Sequence, residues 1–123
     1  MIELVKQLEP LGCGVACLAM LTGKSYADVR QDFPNAAEKG ISIAAAEEWL
    51  RAHDFEIETY LHLGLLDPCL FRGLTLGCTP RWTPENGCAN HAIVVADGRV
   101  YDPSNFPYPY YPLAHAIKIL GEK

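Results

Sequence analysis

The dipeptide Asp97-Gly98, set between "HAIVVA" and "RVYDP", constrains the fold more than any other feature of this chain. A tight type I′ turn needs positive φ at both central residues, and Asp-Gly between apolar runs is a strong hairpin signal. With the turn centred there, Ala96 opposes Arg99, Ile93 opposes Asp102 and His91 opposes Ser104. Opposed residues share a face, and so do residues two apart on one strand. His91 and Asp102 therefore emerge on one face as diagonal neighbours, roughly 7–8 Å apart, a span their side chains can close. A slip of one residue would send them to opposite faces. The plain alternative is a partly exposed strand end whose Asp102 merely caps the turn before Pro103.

Upstream of residue 55 the pattern is helical. Cys13 to Leu21 is apolar with no breaker after Gly14, and Gly23 stands where a helix C-terminus favours glycine. Ser25 can cap a second helix, "YADVRQDF", stopped by Pro34, and Ser42 a third, "IAAAEEWLRAH". In the third, Ile43, Ala46, Trp49 and Leu50 fall on one face, with Glu47, Glu48 and Arg51 turned to water. Downstream, "FEIETYL" alternates like a strand, "LTLGC" does so more weakly, and "HAIKIL" reads as a closing strand. Helices first and antiparallel strands afterwards predict a single α+β domain over residues 1–123. "TGKS" at 22–25 lacks the first glycine of a phosphate-binding loop, Leu18 standing in its place, so it reads as a helix stop and a cap.

Half the residues are apolar, a fifth are charged and the net charge is −5, with the ten Lys and Arg scattered singly. No basic stripe neutralises phosphates, so nucleic acid is not an expected partner. The longest apolar run, Val15 to Leu21, is too short to cross a bilayer. "MIELVKQLEP" lacks the basic start and apolar middle of a signal peptide, so the expected compartment is the cytoplasm. There the five cysteines, Cys13, Cys17, Cys69, Cys78 and Cys88, are expected mostly as free thiols. A metal site of Cys78, Cys88 and His91 is conceivable, but buried small thiols explain these spacings more simply, and neither metal nor cofactor is expected.

Cys13 has a reason to differ from the other thiols. It stands at the start of its helix, where the N-terminal field favours a thiolate, and Gly14 is expected to leave open space beside the sulfur. Cys17, one turn further in, lies beyond that field. Thiol catalysis needs a base, a group orienting that base and donors for an oxyanion. His91 and Asp102 supply the first two by hairpin register. The Cys13 backbone N–H and the Gln7 side-chain amide, six residues upstream, are candidate donors. The alternative is a buried packing thiol with a surface glutamine. His53, His62 and His115 receive no role; Trp82 rims a groove or packs on the surface.

Gln7, five residues and then "CGVACLAM", followed by "KGISIAAAEEWLRAHDF", "HAIVV" and "YDP", resembles the double-glycine leader peptidases. These papain-like cysteine peptidases usually form the N-terminal domain of bacteriocin-exporting ABC transporters. The resemblance spans roughly residues 5 to 103 and implies Cys13 as nucleophile, His91 as general base and acid, Asp102 as orienter and Gln7 as oxyanion donor. It implies a papain-like fold, a nucleophile helix packed on an antiparallel sheet that carries His and Asp, and a peptide or protein substrate. Members commonly carry an acidic residue just before the cysteine, where this chain has Gly12, and "NFPYPYYP" has no counterpart in them. The expected activity is peptide-bond hydrolysis, with cleavage after Gly-Gly a candidate specificity. Deamidation or transglutaminase-like acyl transfer uses the same triad, and a non-catalytic peptide-binding module is the remaining alternative.

Overall fold

The hairpin forms in the expected register. A computed structural model gives the fold and describes residues 2–9, 11–64, 66–68, 72–80, 90–104 and 113–122. Strands β3 (Asn90–Ala96) and β4 (Arg99–Tyr101) pair antiparallel with Ala96 opposite Arg99 and Val94 opposite Tyr101. Asp97 and Gly98 take φ of 48° and 85°, as the type I′ geometry requires. The Asp97 carboxylate accepts the Gly73 N–H at 2.8 Å and the Asp97 N–H donates to the Gly73 carbonyl at 2.9 Å, so the turn is tied to the neighbouring chain.

The ladder is shorter than expected. It ends at Val94–Tyr101, and neither Ile93–Asp102 nor His91–Ser104 is a ladder pair. Pro103 has no N–H to continue it. The Ser104 N–H turns back to Asp102 Oδ1 at 2.8 Å, and the Pro103 carbonyl accepts the Gln7 N–H at 2.9 Å.

Helix α1 (Cys13–Thr22) is buried from Cys13 through Leu21. A helix apolar all round shows no amphipathic period, which suits an element enclosed by its own domain. Gly12 occupies its N-cap without a side-chain bond, and Gly23 closes it at φ 75° with its N–H on the Ala19 carbonyl. In α2 (Tyr26–Gln31) and α4 (Ile43–Ala52) the caps are Ser25 and Ser42, each hydroxyl accepting a first-turn N–H at 3.1 Å. α2 stops two residues earlier than "YADVRQDF" suggested. The short α3 (Ala36–Lys39) between them was not expected.

Strands β1 (Phe55–Tyr60), β2 (Leu74–Pro80) and β5 (His115–Glu122) complete an antiparallel sheet of order β1-β5-β2-β3-β4. The last strand thus enters between β1 and β2, joining the helical half to the hairpin half. The fold is α+β, with α1 packed on β3 and β2 and α4 on β1. One face of the sheet contributes Leu76, Val94 and Ile117 to the main core with Val15, Leu18 and Leu50; the other carries a smaller cluster of Ile93, Val95 and Leu113. Ile93, Val94 and Val95 are buried on both faces, which explains the unbroken apolar run. Each large aliphatic side chain so enclosed contributes about 1.5–3 kcal/mol. Among the described residues, no helix is long and apolar enough to cross a membrane.

One detail differs from the expected surface. Glu47 is half-buried, accepting the Thr59 hydroxyl of β1 at 2.6 Å, so it ties α4 to the sheet rather than facing water. His53 ends α4 with Nδ1 2.8 Å from the Trp49 carbonyl and its ring stacked on Trp49. Cys69, Trp82, Cys88 and residues 105–112, with most of the tyrosine-rich tract, lie outside the described residues.

Candidate active site

Three separate elements bring Cys13, His91 and Asp102 together. Cys13 is the first residue of α1, His91 the second of β3, and Asp102 the first beyond β4. His91 Nε2 lies 2.7 Å from Asp102 Oδ1, the oxygen that also accepts the Ser104 N–H. A carboxylate only accepts, so it fixes the proton on Nε2 and leaves Nδ1 as the ring nitrogen for a second partner. The Cys13 thiol is a second side-chain partner of the His91 ring.

The electrostatics follow from these contacts. Burial pushes the Cys13 thiol up, but the His91 hydrogen bond, the Ala92 N–H, the positive charge of His91 and the Gly14 N–H outweigh it, leaving its pKa below the ordinary thiol value. The Ala92 N–H is available to sulfur because β4 has ended before it could pair there. Burial pushes His91 down, yet the bonds to Asp102 and Cys13 raise its pKa to about 9. Both shifts favour one state, a thiolate facing an imidazolium. Cys13 is 9% and His91 8% exposed, so the pair is held at the edge of the core, where little water competes.

The other described thiols are pushed the opposite way. Burial, then the charges of Cys13, Cys78 and Asp102, raise Cys17 well above the ordinary thiol pKa. Cys78 on β2 rises to about 12, through burial and the Cys13 charge. What separates Cys13 from Cys17 is chiefly the His91 partner on one and burial on the other; of the causes that lower Cys13, only the Gly14 N–H belongs to the helix start on which the sequence reading relied.

Gln7 arrives on the N-terminal segment. Its backbone N–H binds the Pro103 carbonyl beside Asp102, and its Nε2 donates to the Glu9 carbonyl at 3.0 Å. Lys6 Nζ donates to the Ser104 carbonyl at 2.8 Å, a second tie between this segment and the Asp102 loop.

Compared with known proteins, the chain matches no family model and no curated sequence.

Several neighbours of the site were not visible in the sequence. The space beside Gly14 is not open: a Cβ built there would meet the Ile41 side chain at 3.2 Å. Ile41 sits in the "KGIS" stretch, so that stretch walls the start of α1 as well as preceding α4. Gly12 is glycine because a Cβ would strike the Tyr26 hydroxyl. That hydroxyl donates to Glu9 Oε1 at 2.8 Å, and Arg30 meets both Glu9 oxygens, Nε–Oε1 at 2.8 Å and Nη2–Oε2 at 3.2 Å. Contacts from residue 9 to residues 26 and 30 have no local sequence signal. Only the unusual Gly12 hinted that something occupies this space.

Proposed function

We propose that this chain is a cysteine hydrolase of the papain-like kind, acting on peptide amide bonds as the double-glycine leader peptidases do. The observation that carries the reading is the Cys13–His91–Asp102 relay, with the thiol pulled down and the imidazole raised. A packing cysteine has no need of such a partner, whereas a thiol nucleophile requires one. The α+β architecture, with α1 packed on the strand that bears His91, supports the same fold assignment.

In this reading the Cys13 thiolate attacks the substrate carbonyl carbon, and the carbonyl oxygen becomes an oxyanion. The Cys13 N–H at the helix start and the Gln7 amide are the donors assigned to that developing charge. His91 gives its proton to the leaving nitrogen as the C–N bond breaks, and a thioester remains. Water then attacks the thioester, His91 takes the proton, and the acid is released with Cys13 restored. Asp102 holds the ring in the orientation both steps need.

The test is incubation with a mixture of Gly-Gly-containing peptides, read by mass spectrometry beside the Cys13→Ala variant. New termini formed by wild type and absent with Cys13→Ala are the expected result. A +1 Da change on glutamine without chain cleavage would move the activity to deamidation by the same triad. Intact peptides with both proteins, across varied lengths and sequences, would contradict a hydrolase.

A further inference from the structure

Glu9 lies two residues from Gln7 and four before Cys13, and its two ends do different things. Its backbone carbonyl accepts the Gln7 Nε2 at 3.0 Å and the Gly12 N–H at 3.0 Å. Its carboxylate is gripped by the Arg30 guanidinium through two bonds and by the Tyr26 hydroxyl, all from α2. Arg30 is itself anchored, donating through Nη1 to the Phe33 carbonyl at 2.7 Å. The planar, two-point pairing leaves the carboxylate little freedom to rotate.

We infer that Glu9 is the positioning residue of the oxyanion donor, its carboxylate locked to α2 so that its carbonyl holds the Gln7 amide in one orientation. The inference rests on the acyl-transfer reading above. An amide group is planar, so tying its nitrogen to the Glu9 carbonyl restricts the orientation of the whole group. The same carbonyl receives Gly12, the N-cap of the nucleophile helix. Misplacement by a fraction of an ångström weakens an oxyanion donor because its value comes from being in place before charge develops. Gly12 is part of the device, since any side chain there would push the Tyr26 hydroxyl off Glu9.

The arrangement separates two reactions of one sulfur. Alkylation by iodoacetamide requires the thiolate but forms no oxyanion; acylation by p-nitrophenyl acetate requires both. Glu9→Gln and, as a milder variant, Tyr26→Phe are compared with wild type and Gln7→Ala in both assays. The expected result is an acylation rate lowered about 10-fold or more in Glu9→Gln, with less effect in Tyr26→Phe. Alkylation rate and its pH profile stay as in wild type. The Gln7→Ala/Glu9→Gln double variant should acylate no more slowly than Gln7→Ala alone, because Glu9 acts only through Gln7. Parallel loss of alkylation and acylation would overturn the inference, showing a collapsed helix start. Unchanged acylation in both single variants beside an active wild type would overturn it and leave the hydrolase reading standing. A wild type that alkylates at Cys13 but is never acylated would overturn the acyl-transfer reading, and this inference with it.

Discussion

His91 Nε2 and Asp102 Oδ1 lie 2.7 Å apart although their strands stop pairing at Val94 and Tyr101. The bond is thus made just past the end of the ladder, where Pro103 frees the chain to turn and the Ser104 N–H aims the carboxylate. Ending β4 early also frees the Ala92 N–H for the Cys13 sulfur. One irregularity serves both members of the pair.

The pH dependence of hydrolysis is expected to be bell-shaped. The nucleophile is active above the Cys13 pKa, which lies below the usual thiol value, so activity rises in a range where an ordinary thiol is still protonated. The acid is active below the His91 pKa, so activity falls as pH rises through about 9. A kcat/KM profile with a single limb near an unperturbed histidine value would contradict this.

Removal of the base tests its role directly. His91→Ala should lower kcat/KM for any peptide substrate by about 10²–10⁴, the usual share of a positioned acid–base group. Unchanged circular dichroism would show that the fold survives.

Gly12→Ala should cost about 1–3 kcal/mol of stability, because the new methyl overpacks against the Tyr26 hydroxyl in a backbone conformation that alanine otherwise tolerates. Thermal unfolding measures it. Restored stability in Gly12→Ala/Tyr26→Phe would confirm the steric cause.

Gly77→Ala provides the contrasting case. A Cβ there approaches the fully buried Leu113 side chain at 2.7 Å and Ile93 at 3.3 Å, on the smaller core. A loss of about 1–3 kcal/mol is expected. The alkylation rate of Cys13 should hold, since the strain falls between strands and not at the helix start.

How much of this was legible in the sequence depended on whether the cause was local. The Asp97-Gly98 turn, the serine caps of α2 and α4 and the Gly23 stop all act within a few residues, and each formed where its chemistry placed it. Turn register set the approach of His91 to Asp102, and the turn at Ser104 beyond the ladder completed it. The insertion of β5 between β1 and β2 was not legible, because strand order depends on packing between distant segments. Nor was the Glu9–Arg30–Tyr26 grip, whose partners stand 17 and 21 positions from Glu9 with no periodic link. Ile41 filled the space that Gly14 was expected to leave open for a related reason: a glycine shows that a side chain is missing but not what replaces it.

The central claim, a thiolate–imidazolium pair at Cys13 and His91, is tested most directly by alkylation of each cysteine against pH, read by peptide mass spectrometry in wild type and His91→Ala. Cys13 should react fast in the native protein, with an apparent pKa below the ordinary thiol value, and that advantage should vanish in His91→Ala. Cys17 and Cys78 should label only on unfolding. If Cys13 reacts no faster than Cys17, or keeps its rate without His91, the pair does not exist and the hydrolase reading fails with it.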